Sequence, residues 1–490
     1  MNTLTLKARL RDRERQRYFV TFLGGKLIGL AAALGIITLA MPWIIGKVVH
    51  AAAPMQDDTA EKLTGAINGL NTAWVLIAAF LVFFMQAGFM MLEAGFARTR
   101  EVVNVLQECI VDTCLCAVLF WAFGFAFMFG FGNSFIGHEF FFLNGAEATY
   151  TYHGTFDTGV AFMAFFLFQF AFADTCSTIT SGAMVGRTGF KGDLLYSVGV
   201  SGFIYPILGH WVWGPGGWLA QGGTHLWDFA GSTVVHTMGG MIALAGAIVL
   251  GPRLGRVFKR DGGGLPPGHD MTVAAIGGVI LWFGWYGFNP GSTLSAFDAA
   301  GIGRVATNTT LAAAAGGLSA MAWVYPRLKK WDMGITINGF LGGLVAITCP
   351  CYWVNAFGAV IIGLVGGIVV VLGIDLIEHL RIDDPIGAVA VHGFAGMWGT
   401  WSLGLFCVGT FGGPKKGLLW GGGGKQLWAQ IWGNLLIGGA AFAGALVLMY
   451  AVKLTKTLRV SEEGELEGID IHEHGAPAYH PEAAYMGKGL

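Results

Sequence analysis

Charged residues are scarce in this sequence. Asp, Glu, Lys and Arg make up 12% of the 490 residues and hydrophobic residues make up 54%, and the apolar stretches are too long for a soluble enzyme of this size. The opposite charges almost cancel, and a net charge of −1 leaves no basic surface for a nucleic acid. The composition therefore predicts an all-α polytopic membrane protein in a lipid bilayer.

Cysteine is sparse as well. The seven cysteines lie in or beside apolar stretches, which is not typical of a secreted disulfide scaffold. Cys349 and Cys351 lack a second pair of metal-ligand type, so we interpret them as small buried hydrophobic residues and expect neither a metal nor a cofactor. Glycine, in contrast, is abundant at 78 residues, which is typical of closely packed membrane helices.

The first 53 residues have the pattern of a targeting segment. Six basic residues precede position 18, an apolar run covers 27–45, and Ala51, Ala52 and Ala53 follow. This order predicts a signal peptide over 1–53 that is removed; the apolar run is also long enough for the alternative, a retained signal anchor. Either outcome makes 54–71 an extracytoplasmic stretch.

Eleven apolar segments of spanning length come next. They cover 73–96, 103–130, 158–185, 194–214, 228–251, 271–290, 303–325, 334–350, 353–377, 385–408 and 428–452, to within a few residues. The loops after the odd-numbered segments, with the C-terminal residues, hold sixteen Lys and Arg; the opposite side holds five. The positive-inside rule then predicts a multi-pass protein of the cell inner membrane, with its mature N-terminus outside and its C-terminus in the cytoplasm.

Two segments share one pattern. They are Asp228-Phe-Ala-Gly-Ser-Thr-Val-Val-His236 and Asp384-Pro-Ile-Gly-Ala-Val-Ala-Val-His392, and small residues follow each. Eight helical residues span about 12 Å, so an Asp at the membrane surface places its His near the bilayer midplane. The topology runs the two segments in opposite directions, five spans apart, which predicts a five-plus-five inverted repeat whose histidines meet at mid-depth.

A lone histidine on an apolar helix is most often a satisfied structural group, but two in matched positions favour a function. Neither segment supplies the further ligands that a metal needs. Two neutral imidazoles would instead offer donors and acceptors to a small polar permeant or to a proton.

Several motifs in order resemble the ammonium transporter (Amt/Rh) family, bacterial Amt type. They are the two Asp-to-His segments, Gly284-Trp-Tyr-Gly-Phe-Asn289, and the C-terminal Leu458-Arg-Val-Ser-Glu-Glu. The resemblance covers residues 72 to 480. It implies a homotrimer of eleven-helix protomers, each with its own narrow hydrophobic pore in a channel domain over 72–452.

The resemblance also implies where the permeant binds first. Trp213 and Ser292 match an outer site that recruits NH4+, Trp213 by attraction of the cation to its ring and Ser292 by a hydrogen bond. Phe172 would add an aromatic face beneath, and Asp228 matches the buried acid that supports this site. Each aromatic residue taken alone is more typical of core packing in a chain with 37 Phe and 17 Trp.

Further along the implied path, Phe172 and Phe288 match a stacked gate, and His236 and His392 match twin histidines that line the pore. Carrying a bare cation through an apolar pore is costly. We therefore expect NH4+ to lose its proton near the gate and neutral NH3 to pass the histidines. Whether the proton follows along the imidazoles or returns outside stays open.

The sequence departs from the family pattern at three positions. Asp174 lies where a small or apolar residue is usual, Gly186 lies where a glutamate is common, and Asp112 adds an acid within the second span. For Asp174 we keep two interpretations: a polar contact between helices, or a modified proton path.

Residues 453–490 form a polar, partly acidic C-terminal tail. The resemblance makes this tail a cytoplasmic regulatory element and a docking surface for a PII-type signal protein.

An ammonium sensor that binds NH4+ with little flux is the alternative function. Family sensors usually append a kinase or cyclase domain, and the short stretch after the last span favours the transporter. An enzyme is not expected, because no metal cluster, phosphate loop or nucleophile motif is present in the sequence. Uptake of methylammonium, an analogue of the permeant, would separate transporter from sensor.

Overall fold

The computed structural model describes residues 58–150, 158–221 and 225–479. The predicted signal peptide over 1–53 and residues 54–57 of the predicted 54–71 stretch lie outside these residues, whereas 58–71 are helical. Ile67–Leu490 form one compact unit, to which the architecture below belongs. Of the second unit, Met1–Ala66, the structure describes only the helical residues 58–66.

The described residues contain eleven long helices and no β-strand. The helices are α1 (Asp58–Phe96), α2 (Val102–Phe129), α3 (Phe162–Gly182), α4 (190–213), α5 (Ser232–Leu250), α6 (Met271–Phe288), α7 (Ala299–Leu328), α8 (Met333–Thr348), α9 (Ala356–His379), α10 (389–406) and α11 (Lys425–Leu454). The short helices Glu462–Glu467 and Ile469–His474 follow in the tail. The expected all-α class is thereby confirmed.

Seven of these helices are long and apolar enough to cross a membrane: α1, α2, α3, α5, α6, α9 and α11. Helix α8 is apolar but shorter. The remaining predicted spans fall on α4, α7 and α10. The chain is therefore a multi-pass helical membrane protein, and the number of crossings stays a prediction.

Glycine allows the helices to pack at backbone distance. A Cβ on Gly343 of α8 or on Gly363 of α9 would lie 2.2 Å from the carbonyl oxygen of Ala312 in α7. One on Gly367 would lie 2.1 Å from the carbonyl oxygen of Gly316. Because only glycine fits such approaches, α7, α8 and α9 form a tight three-helix group.

Four helices contain a π-helical turn, a feature frequent at functional sites. These turns are Phe120–Gly124 in α2, Val200–Ile204 in α4, Ser232–Thr237 in α5 and Val389–Phe394 in α10. The last two hold His236 and His392.

The tail packs against one end of the helices. The backbone N–H of Asn104 donates to the Asp470 carboxylate at 2.9 Å, and the Arg100 guanidinium donates to the Leu466 carbonyl at 2.7 Å. We call this end the tail end and the opposite one, where Trp213 and Ser292 lie, the vestibule end.

Candidate functional site

Each Asp-to-His segment begins with an aspartate that caps a helix. The Asp228 carboxylate accepts backbone N–H bonds at 2.8–3.1 Å from Gly231, Ser232, Thr233 and Val234. The Asp384 carboxylate accepts them at 2.9–3.0 Å from Gly387, Ala388 and Val389. A carboxylate accepts from the free N–H groups at the start of a helix and is stabilised by the positive end of the helix dipole. Both helices therefore start at equivalent points before their histidines.

Small residues after each histidine let α5 and α10 touch. A Cβ on Gly240 would lie 2.1 Å from the backbone nitrogen of Gly393, and one on Gly396 would lie 2.7 Å from the carbonyl oxygen of Ser232. No side chain fits at this crossing. The two π-helical turns are therefore held against each other by backbone contact.

This crossing brings the two histidines together. The Nδ1 atoms of His236 and His392 lie 3.1 Å apart, and the ring planes make an angle of 24°. Both side chains are buried. A hydrogen bond between two Nδ1 atoms requires one to donate and the other to accept, so the pair shares one proton at this contact. His236 Nε2 has no protein partner among the described residues, which leaves it available to a small permeant.

An aromatic stack separates the histidines from the vestibule end. The ring of His236 lies on Trp285 and Phe288, with centroids 5.2 and 5.5 Å away. Phe288 in turn stacks on Phe172 at 4.0 Å and 23°. The apolar faces of two phenyl rings thus lie between the vestibule end and the imidazoles.

Trp285 is a site residue that our sequence reasoning missed. Its indole N–H donates to the Thr348 hydroxyl at 2.8 Å, which fixes the ring against His236. The signal was its place in the Gly284-Trp-Tyr-Gly-Phe-Asn289 motif, but a tryptophan on an apolar helix gives no indication of what it contacts.

Outside the stack lies a cavity of about 210 Å³ whose lining includes Phe172, Trp213 and Ser292. The Trp213 indole N–H donates to the Asp228 carbonyl at 2.9 Å. The Ser292 hydroxyl donates to the Phe288 carbonyl at 2.8 Å, so its oxygen keeps lone pairs for a donor in the cavity. The cavity therefore offers an aromatic face and a hydroxyl acceptor, which suits a small cation with N–H groups.

Comparison with known proteins shows to which family the chain belongs. Residues 73–479 match the model of the Ammonium Transporter Family. The chain belongs to the ammonium transporter family. It is 44% identical over 428 residues to "Ammonium transporter Amt2" of Archaeoglobus fulgidus, covering 84% of this chain and 88% of that protein. It is 36% identical over 452 residues to "Ammonium transporter 1 member 3" of Solanum lycopersicum, covering 84% and 93%.

Solved structures of the family share the fold. A "Sensor Amt Protein" is 35% identical with a TM-score of 0.76, covering 84% of this chain and 99% of that one. Mep2 from Candida albicans is 28% identical with a TM-score of 0.72, covering 81% and 87%.

In this member of the ammonium transporter family, Asp174 faces away from Phe172 and the histidine pair. Two helical residues rotate the side chain by about 200° from Phe172. The carboxylate instead accepts a hydrogen bond from the Thr113 hydroxyl of α2 at 3.2 Å. Asp174 is fully buried, and its second oxygen has no partner among the described residues.

Near Gly186, where the resemblance led us to expect a glutamate, the structure places the carboxylate of Glu101. Gly186 has φ +85°, and a Cβ built on it would lie 2.6 Å from the Glu101 carboxylate. Arg98 pairs with that carboxylate and also donates to the Gly186 carbonyl at 3.3 Å. Glu101 thus occupies the space into which a side chain at position 186 would extend.

A second cavity, of about 570 Å³, opens at the tail end beside the start of α10. Its lining includes Phe96, Asn338, Ile374, Ile386 and Gly387. In the described part of the chain, no group of three or more His, Cys, Asp or Glu residues is arranged to hold a metal ion.

Proposed function

We propose that this transporter recruits NH4+ in the vestibule cavity, removes its proton near Phe172 and Phe288, and passes NH3 beside His236 and His392. The observation that carries the proposal is the imidazole pair, 3.1 Å apart, buried beneath a closed aromatic stack. Family membership and the ammonium transporters among its relatives support the permeant.

The roles of the vestibule residues follow from their geometry. Trp213 would attract the cation to its ring face, and Ser292 would accept an N–H bond. Phe172 forms the floor of the cavity and also half of the gate. Asp228 acts by position, because its carbonyl holds the Trp213 indole and its carboxylate starts α5.

Desolvation explains the loss of the proton and the selectivity. An ion that leaves water for an apolar stack loses hydration that phenyl rings cannot replace. NH4+ can become neutral by giving up a proton, and K+ cannot. Beyond the gate, neutral NH3 meets ring nitrogens that donate to it or accept from it. Whether the released proton crosses separately along the imidazoles distinguishes electrogenic from neutral transport.

The membrane arrangement is part of the proposal. We infer eleven crossings in the cell inner membrane, with the tail end in the cytoplasm, supported by the excess of Lys and Arg in loops at that end. A homotrimer with one pore per protomer is supported by exposed apolar side chains on α1, such as Ile77, Phe80 and Phe84, which suit lipid or a neighbouring subunit.

The tail is proposed as a regulatory element that binds a PII-type signal protein. Its two short helices lie beside the loops that frame the tail-end exit, and backbone and side-chain bonds from Asn104, Arg100 and Leu254 hold it there. A partner bound on this surface would stand next to the exit.

Proteoliposomes test the mechanism. We expect radiolabelled methylammonium uptake and ammonium-evoked current with the wild-type chain, and large losses in His236→Ala and His392→Ala. His379→Ala is the matched control, because this histidine is exposed at the end of α9. Equal flux in all four proteins would overturn the role of the pair.

The same preparation addresses the sensor alternative, which the structural similarity to a "Sensor Amt Protein" keeps relevant. Ammonium binding measured by calorimetry, without uptake or current in the wild-type chain, would favour a sensor. Uptake that Phe288→Ala or Trp213→Leu alters would favour the transporter.

A further inference from the structure

Five acidic side chains lie buried between the first four long helices, away from the histidine pair. We call them the acid cluster. They are Glu93 of α1, Glu108 and Asp112 of α2, Asp174 of α3 and Asp193 of α4, and each is at most 1% exposed. Glu93, Glu108 and Asp112 each interact electrostatically with Asp193, and Asp112 also interacts with Asp174. The five groups therefore form one connected set.

Among the residues that the structure describes, no positive charge compensates the acid cluster. No Lys or Arg among the described residues forms an ion pair with any of the five. A buried carboxylate without a cation costs several kcal/mol or more, whereas a protonated acid is neutral. The described residues also lack the close ligand geometry of a metal site, so protons are the cations that fit.

Unpartnered atoms point into the same space. Both carboxyl oxygens of Asp112, one oxygen each of Glu93, Asp174 and Asp193, and the hydroxyl of Ser197 are buried without a hydrogen-bond partner. Protonated acids would turn several of these acceptors into donors and allow them to pair. The neutral Ser197 hydroxyl, one helical turn after Asp193, is directed at Asp112 but forms no hydrogen bond of ordinary geometry, and it is not itself acidic.

A polar stripe connects the acid cluster with the tail end. Asn104, Glu108 and Asp112 recur every four residues and so share one face of α2. The Asn104 amide donates to the Glu108 carboxylate at 2.9 Å, and its oxygen lies 2.9 Å from His474 Nε2 in the tail. His474 is only partly buried. The stripe thus runs from a solvent-accessible imidazole to a fully buried acid.

We propose that the acid cluster is a second proton-binding site, off the ammonia path, that exchanges protons with the solution at the tail end along the Asn104 face of α2. A proton bound there sits on a carboxyl oxygen and leaves to water at the tail end, without a redox step. The other titratable groups that interact electrostatically with the cluster are Cys109, Cys116 and Tyr196. Asp470 and His474 of the tail contact Asn104 at the other end of the stripe.

Infrared spectroscopy of the full-length protein in ammonium-free proteoliposomes tests the site. We expect a protonated carboxyl C=O band that persists above neutral pH and loses intensity in Asp112→Asn and in Asp193→Asn. Asparagine matches the shape of a neutral aspartic acid, so these variants should fold. Asp375→Asn is the control, because Asp375 is partly exposed and paired with Lys259 and Arg327.

Exchange is measured by transfer to D2O. The band should shift in the wild-type protein, and Asn104→Leu should slow that shift. Absence of the band in the wild-type protein, or unchanged intensity in both Asp variants, overturns the site. A band that never shifts in D2O overturns exchange, and an unchanged rate in Asn104→Leu overturns the route. Since no ammonium is present, none of these results depends on ammonium transport.

Discussion

The two Asp-to-His segments lie at opposite ends of the molecule and begin in the same way, with an aspartate that caps a helix, but their surroundings differ. At the vestibule end, the hydrogen-bond partners of Asp228 among the described residues are uncharged: four backbone N–H groups bind its carboxylate, and the Trp213 indole binds its carbonyl. At the tail end, Asp384 follows Asp383, which lies in a buried network of arginines. The repeated aspartate cap fixes where the histidines meet, and the differing surroundings decide what each end can bind.

The arginine network connects the segment that begins at Asp384 to the rest of the tail end. Arg253 and Arg256 pair with the Asp383 carboxylate at 2.8 and 3.2 Å, and Arg187 donates to its carbonyl at 2.5 Å. Burial alone would raise the pKa of Asp383, but hydrogen bonds from Arg253 and the charges of Arg187 and Arg253 hold that pKa well below its usual range. The vestibule end lacks such an anchor among the described residues around Asp228.

The largest expected effect follows from removing this anchor. Asp383→Ala would leave Arg253 buried without its partner, and we expect a loss of about 3–5 kcal/mol in stability. Thermal unfolding in detergent, followed by intrinsic fluorescence, measures the change. Asp375→Ala is the control, because its partly exposed pairs with Lys259 and Arg327 contribute only about 0–1 kcal/mol.

Acidification tests the pairing of Asp383 with Arg253. Because the folded pKa of Asp383 is lowered, its contribution is present at neutral pH and persists down to about pH 4, the ordinary Asp value, before it is lost. An Asp383-dependent loss of stability between pH 7 and pH 5 would contradict the pairing.

The next effect concerns the vestibule end. Asp228→Ala removes the acceptor of four buried N–H groups, and Asp384→Ala removes that of three. We expect about 1–3 kcal/mol for each, with Asp228 the larger, because unsatisfied buried donors are costly. Methylammonium uptake should also fall more in Asp228→Ala, since a displaced start of α5 would shift the Asp228 carbonyl that accepts from Trp213. Equal losses would show that the two ends differ less than their surroundings indicate.

The crossing of the segments is the third point to break. Gly240→Ala would place a methyl group against the Gly393 backbone, and overpacking of this kind costs about 1–3 kcal/mol. Displacement of α5 from α10 should also lower uptake. Gly439→Ala in α11 is the matched control, because a Cβ there meets nothing within 4 Å. Wild-type uptake in Gly240→Ala would mean that the histidine pair tolerates a wider crossing.

How far the sequence predicts this architecture depends on the range of the interaction. The Asp-to-His spacing indicates local structure, since a cap and eight helical residues fix the depth of each histidine. The fit of Trp285 against His236 depends on how α6 packs on α5, which no local pattern reveals. Glu101 fills the space that a side chain at position 186 would occupy, although the two residues are 85 positions apart. This placement also depends on the positive φ of Gly186. Such pairings become visible only in three dimensions.

The acid cluster shows the same limit from another side. The four-residue spacing of Glu108 and Asp112 is visible in the sequence, and so is the unusual Asp174. Their meaning depends on Glu93 and Asp193 from two other helices and on the lack of a nearby cation among the described residues. A spacing rule identifies a face, but only packing shows what that face meets.

The smallest expected effect lies in the tail. Burial lowers the pKa of His474, although Asp470 and Glu473 oppose this, so the docked tail favours a neutral imidazole. Its contribution to docking is therefore present above about pH 6.5 and is lost as pH falls further.

Hydrogen exchange of the Ile469–His474 helix should accelerate between pH 7.5 and pH 5.5, after correction for the intrinsic rate. His474→Gln should remove that dependence while keeping a donor to Asn104; an unchanged pH dependence would assign the effect to another group. Because no ion pair of His474 is involved, added salt should alter this transition less than it alters the Arg459–Glu465 contact at 2.8 Å.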